Sequence, residues 1–229
     1  MAKRHFARDY QKLVKQLKRA MPHDEAMEKA VGGDYQRIGT VAATMLQECG
    51  LADGMSLLDF GCGSGRVARV VSERIDLDGY LGVDVVRDLI RHARGQTPDH
   101  YRFAVNESLS LPAGDAEFDF VCAFSVFTHL MLHETYVYLR EMRRVLKPGG
   151  KVLFSFLELG APDHLEVLRE TADVAQAGYL EHLNAFMERG QIEIIAADLG
   201  FRLLRIIEPD AAFGAHGGLG QSACLLQKP

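Results

Sequence analysis

The sequence predicts an α/β domain, a doubly wound parallel sheet with helices on both faces and additional helices at the N-terminal end. Three observations predict it. Short apolar runs alternate with amphipathic helical stretches for about 100 residues, from Ser56 to Phe156. Those runs are apolar on both faces, the pattern of strands buried between two helical layers. The chain has 229 residues, 48% hydrophobic and 25% charged, which fits one domain with its own core.

The elements follow in order. Tyr10, Leu13, Val14 and Leu17 recur at i, i+3, i+4 and i+7, predicting an amphipathic helix with a basic outer face that Pro22 closes. Ile38, Val41, Ala42, Met45 and Leu46 share one face of a second helix ending near Gly50. Strands are expected at Ser56–Phe60, Tyr80–Val83, Tyr101–Val105 and Phe118–Phe124, and at Lys151–Phe156 after the Pro148-Gly149-Gly150 turn. Helices are expected at Arg66–Arg74, Arg87–Arg94 and Glu134–Leu146. Residues 158–187 read as helical, Gln191–Leu199 as a further helix, and Phe201–Glu208 and Gln221–Leu226 as two strands.

Composition excludes several classes. Collagen-like, disordered and disulfide-scaffold chains do not have this balance. No apolar run approaches the ~18–20 residues of a membrane span, and the first residues lack the apolar stretch of a secretory signal. Cys49, Cys62, Cys122 and Cys224 form no CxxC pair, so they are expected to be free, buried thiols in a reducing cytoplasm. Residues 3–19 hold seven basic side chains against Asp9, a net +6; the chain is −5, so the remainder is −11. That acidic body argues against a nucleic-acid partner, which needs many phosphate contacts. The basic arm remains suited to an anionic partner or to a flap over a site.

The segment Leu57-Leu58-Asp59-Phe60-Gly61-Cys62-Gly63-Ser64-Gly65-Arg66 concentrates the chemical signal. An apolar strand ends near an acid, passes three alternate glycines and enters a helix. Glycines let a ligand approach the backbone, and a helix start offers unpaired N–H groups. In open α/β sheets such a ligand binds outside the carboxyl ends of the strands. Asp84 ends the next strand, where an acid accepts hydrogen bonds from both ribose hydroxyls. A dinucleotide calls for G-x-G-x-x-G with a pyrophosphate over the helix. Here the spacing is G-x-G-x-G, and Asp59 repels a pyrophosphate while suiting a ligand that carries an ammonium group.

Leu57–Arg66 resembles the first motif of class I S-adenosylmethionine-dependent methyltransferases. Four further segments resemble that family in the same order: Val83-Asp84; Asn106 to Pro112; Phe118 to Val121, continuing through Phe127 to Leu130; and Leu146 to Lys151. The resemblance implies a Rossmann-like, seven-stranded, mostly parallel sheet whose last strand is antiparallel. It implies S-adenosyl-L-methionine as cofactor, with Gly61, Gly63 and Gly65 against the methionine moiety and Asp59 near its amino group. Asp84 would hold the ribose and Val85 would pack on the adenine. Asn106, Glu107 and Ser108 would flank the adenine amino group, with Glu107 where the family more often has Asp. Phe124 and Ser125 would line the methyl-transfer side. By the same analogy, residues 1–50 form a helical extension, as lid or on the substrate side. Residues 51–229 form the methyltransferase domain, with a helical insertion at about 157–189 that shapes the acceptor pocket.

Methyl transfer needs a base only when the acceptor must lose a proton. His129, just beyond the fourth strand, is the best-placed candidate; His133, His164, His182, His216 and Tyr179 are weaker ones. No histidine spacing indicates a metal site. The expected activity is methyl transfer to an oxygen or nitrogen of a small-molecule acceptor, by a monomer or homodimer without a membrane partner. An RNA or protein methyltransferase, a non-catalytic S-adenosylmethionine-binding protein and a nicotinamide oxidoreductase are the competing readings.

Overall fold

The computed structural model describes residues 5–178 and 183–229. The described residues form a sheet of seven strands: β1 (Ser56–Phe60), β2 (Gly79–Asp84), β3 (Arg102–Val105), β4 (Phe118–Ala123), β5 (Leu146–Phe156), β6 (Arg202–Ile207) and β7 (Ser222–Gln227). Their order is β3-β2-β1-β4-β5-β7-β6. The first five pair in parallel. β7 runs antiparallel to both β5 and β6, between which it lies. The expected seven-stranded sheet with an antiparallel last strand is therefore present.

Alternate strand residues feed two cores. Leu57, Tyr80, Phe120 and Leu153 pack with helices α3 (Tyr35–Glu48), α4 (Arg66–Arg74) and α5 (Arg87–Gly95). Leu58, Leu81, Val121 and Val152 pack with α6 (Leu132–Val145) and α8 (Arg189–Asp198) on the other face. This is the two-sided burial that the unbroken apolar runs require. A smaller cluster joins α1 (His5–Ala20) and α2 (His23–Ala30) to α5 through Val14, Met27 and Leu89. None of the described helices is long and apolar enough to cross a membrane. Cys49, Cys62, Cys122 and Cys224 are free and buried.

Three elements differ from expectation. Pro22 does more than close α1: it occupies the N-cap of α2, whose first turn carries Asp24 and Glu25. β5 starts at Leu146 rather than Lys151. Phe118 pairs with Leu146 and Phe120 with Lys151, so Lys147–Gly150 bulge out of the ladder, with Gly149 at φ +79°. In the insertion, helix α7 covers only Pro162–Gln176. Further on, Leu157 bridges Phe186 in a parallel pair, and the Met187 N–H bonds to the Leu157 carbonyl at 2.8 Å. Tyr179 and His182 lie outside the described residues.

Candidate active site

At the carboxyl edge of the sheet, β1 delivers Asp59 into the interior with 2% exposure. The Tyr80 hydroxyl donates to its Oδ2 at 2.8 Å, and the Cys122 thiol approaches Oδ1 at 3.5 Å. Burial pushes this carboxyl up to about 6, against the opposing effect of those two bonds. The chain then turns through Gly61, Gly63 and Gly65, all at positive φ. The amides of Gly61 and Cys62 both donate to the Val83 carbonyl, at 2.7 and 3.1 Å, which locks the turn against β2.

Asp84 completes this lock. Its Oδ2 accepts from the Gly63 N–H at 3.0 Å and its Oδ1 from the Val86 N–H at 2.8 Å. The Val85 N–H also acts on this carboxylate, which keeps lone-pair capacity for a further donor. Burial raises this carboxyl to about 6 as well, while its backbone bonds oppose the shift.

Above these groups lies a cavity of about 600 Å³, within the range of small-molecule and cofactor sites. Of the residues singled out from the sequence, Asp59, Gly61, Gly63, Asp84, Val85, Asn106, Phe124, Ser125 and His129 line it. Gly65, Glu107 and Ser108 do not. A Cβ on Gly65 would stand 2.9 Å from the Ala93 Cα, so this glycine serves the close approach of α4 to α5. Glu107 turns to α1, where its Oε1 accepts from the Gln11 side-chain amide at 2.8 Å. Ser108 closes a turn on its neighbour, donating to the Asn106 Oδ1 through both N–H and hydroxyl, at 3.2 and 2.6 Å.

The exit from β4 is strained. Ser125 has φ +56°, a left-handed conformation that costs a non-glycine residue roughly 1–2 kcal/mol. Its N–H donates to the Ser155 hydroxyl at 2.7 Å, and both serine hydroxyls donate to the Gln221 Oε1, at 3.2 Å from Ser125 and 2.7 Å from Ser155. His129 follows on a short 3₁₀ turn. Its Nδ1 lies 2.8 Å from the Leu183 carbonyl, so Nδ1 carries the hydrogen and Nε2 of the neutral ring is an acceptor.

The other histidines are differently employed. His164 is buried, donating from Nε2 to the Gly220 carbonyl at 3.2 Å and accepting at Nδ1 from the Glu158 N–H at 3.1 Å. His133 is exposed on α6, and His216 is exposed, outside the cavity lining.

The N-terminal extension, expected as a lid or on the substrate side, contributes residues that sequence reasoning did not name for the site. Phe6, Tyr10 and Leu13 of α1 cover the cavity together with the Val31–Gly33 loop and Leu219–Gln221. Tyr10 meets the His129 ring edge-on at 5.4 Å, and burial raises its hydroxyl pKa, keeping it neutral. Arg66 is buried at the start of α4, and its Nη1 donates to the Val31 and Gly32 carbonyls at 3.2 and 2.8 Å. Arg66 thereby holds Val31 over Gly63, where a Cβ would come within 2.5 Å of the Val31 Cγ1. The apolar face of α1 and the loop both fall in the extension expected as a lid; Gln221 had no sequence signal as a site residue.

Residues 58–154 match the family model of a methyltransferase domain. The malonyl-[acyl-carrier protein] O-methyltransferase of Erwinia pyrifoliae is 32% identical over 163 residues, covering 69% of this chain and 57% of that protein. The arsenite methyltransferase of Aquipseudomonas alcaligenes is 31% identical over 137 residues, 55% of this chain and 37% of that one. The chain thus spans about half the length of the curated relatives it matches. Among solved structures, the magnesium protoporphyrin IX methyltransferase of Synechocystis, with bound S-adenosylhomocysteine, superimposes with a TM-score of 0.67 at 15% identity. The match covers 96% of each chain, a likeness of fold.

Proposed function

The chain belongs to the class I S-adenosylmethionine-dependent methyltransferase family, and on that premise we propose that it moves a methyl group to an oxygen or nitrogen of a small-molecule acceptor. The observation that carries this reading is Asp84. Its carboxylate lines the cavity, is anchored by backbone N–H groups of Gly63 and Val86, and keeps lone-pair capacity for a ribose hydroxyl. The fit of S-adenosyl-L-methionine rests further on Asp59 at the opposite end of the glycine turn, where a carboxylate suits an ammonium group.

When bound, the cofactor supplies an electrophilic methyl carbon on a sulfonium. The protein's own contribution is position, charge and dryness. Gly61 and Gly63 present backbone to the ligand. Val85 offers an apolar surface beside Asp84, and Asn106 lines the same end. Phe124 and Ser125 wall the acceptor side, while Phe6, Tyr10 and Leu13 exclude water from above. His129, whose Nε2 is an acceptor in the neutral ring, is the group we assign to take a proton from the acceptor when one must leave.

The test is parallel calorimetric titration with S-adenosylmethionine, S-adenosylhomocysteine and NAD, followed by label transfer from methyl-labelled cofactor to small acceptors and to RNA. Micromolar binding of the two adenosyl ligands with transfer to a small acceptor supports the proposal. NAD binding alone overturns the cofactor. Binding without transfer to any acceptor points to a non-catalytic binding protein, and transfer to RNA alone to a nucleic-acid enzyme.

One observation favours a second reading, an acceptor carried on an acidic protein. Arg8, Lys12, Lys15 and Arg19 are exposed on the helix that roofs the cavity, and two curated relatives are named for an acyl-carrier-protein substrate. Faster methylation of a carrier-linked acyl group than of the free acid, with the difference abolished by salt, would select it.

A further inference from the structure

Away from the cavity, α2 begins with His23 and Asp24, and α5 presents His92 in its last turn. One ligand atom from each of these three side chains lies within 4.8 Å of the other two. The 67 residues between Asp24 and His92 hide this arrangement from any reading of local spacing.

His92 is the unusual member. Its side chain is only 8% exposed, yet among the described residues its ring makes no hydrogen bond. Its nearest charged partner is the Asp24 Oδ1, 3.7 Å from Nδ1. The His23 and His92 rings are splayed at 57° with centroids 5.9 Å apart, so they do not stack.

We propose that His23, Asp24 and His92 bind a divalent transition-metal ion, zinc by their donor set, and that the ion fastens α2 to α5. Two imidazoles and one carboxylate with an open fourth position form a recurring zinc donor set. Magnesium and calcium prefer oxygen ligands alone. Bonds of about 2.0–2.2 Å to a tetrahedral ion bring the donors to roughly 3.4 Å from one another. His23 and Asp24 are both exposed, so they reach that spacing by side-chain rotation.

The position gives the ion a structural consequence. α2 leads directly into the Val31–Gly33 loop of the cavity roof, and α5 follows Asp84 and Val85 of its floor. A bond between the two helices therefore ties roof to floor without entering the cavity.

The experiment is calorimetric titration of metal-free full-length protein with Zn²⁺ at pH 7.5, with Mg²⁺ as control, alongside His23→Ala and His92→Gln. The expected result is one saturable Zn²⁺ site that weakens about tenfold or more in each variant, together with slower amide exchange over residues 23–30 in the wild type alone. His23 is exposed, so its replacement leaves the core intact. Lack of saturable zinc binding below about 100 μM, wild-type affinity in both variants, or equal competition by Mg²⁺ would overturn the proposal. None of these outcomes depends on the cofactor or on methyl transfer.

Discussion

Replacing Asp84 by Ala removes both the proposed acceptor for a ribose and the acceptor for the backbone turn. The carboxylate accepts from Gly63 and Val86 at 3.0 and 2.8 Å, and burial has already raised its pKa to about 6. It is thus still mostly ionised at pH 7.5. A hydrogen bond to a charged acceptor contributes about 1.5–3 kcal/mol. Gly63 lines the cavity, where water entering the vacated volume can satisfy its released amide. The net expected loss is about 1.5–4 kcal/mol, a Kd for S-adenosylhomocysteine raised roughly 10- to 1,000-fold. Asp84→Asn should be no milder, because its NH₂ group must face one of the two N–H donors. Calorimetry at pH 7.5, with a thermal melt for each variant, makes the comparison. An Ala variant that melts like wild type and binds within about threefold of its Kd would refute the ribose contact and leave Asp84 as a turn-holding residue.

Asp59 and Asp84 both have carboxyl groups raised to about 6 by burial. Their contribution to folding is therefore complete below the unfolded pKa and declines as pH rises through 6. Cofactor binding, which needs the charged forms, runs the other way: affinity should fall about tenfold between pH 7 and pH 5 for each carboxylate involved. A flat calorimetric profile over that range would refute this. Gly65→Ala meets the Ala93 backbone at φ +89° and should cost about 2–4 kcal/mol of stability, with ligand affinity kept. Gly61→Ala, at φ +77°, carries similar backbone strain but meets the Val126 side chain on the cavity wall instead of backbone, and should in addition weaken binding by about tenfold or more. Melts and titrations that gave the reverse pattern would exchange the two roles. Glu158 is held below the usual carboxylate range chiefly by Arg189, whose guanidinium pairs with both its oxygens at 2.7 and 2.8 Å. Glu158→Gln should cost roughly 1–3 kcal/mol at pH 7, reduced from the fully buried case because Arg189 is 42% exposed. That deficit should close as pH falls through the native pKa, since a protonated Glu158 has already lost the pair. Thermal melts from pH 7 to pH 3 read it directly.

How far the chain was readable depended on how local each determinant is. The turn from Asp59 to Arg66 was legible because strand, glycines and helix start follow one another directly, and α4 has the expected bounds, Arg66–Arg74. α2 was missed because its buried set is only Ala26, Met27 and Ala30, and its partners Val86 and Leu89 belong to another element. Pro148-Gly149-Gly150 reads locally as a turn. Pairing across the sheet overrides that, for the Gly149 N–H donates to the Lys228 carbonyl and the Lys228 N–H to Gly150. Glu107 adjoins Asn106 in sequence, yet Gln11, 96 residues away, draws it to α1. The lid was expected as a segment but not in its contacts, for the same reason: Tyr10, Val31 and Gln221 meet only through tertiary packing.

The insertion of β7 between β5 and β6 bears on how the molecule is made. During synthesis β6 is complete before its sole sheet neighbour exists. Until β7 arrives, the Val152–Phe156 edge of β5 presents unpaired backbone beside a largely apolar run. Such an edge is a template for pairing with another nascent chain. Closure of the sheet is thus a late, non-local event of the slow class, and crowded translation is the condition under which this fold is most exposed to aggregation.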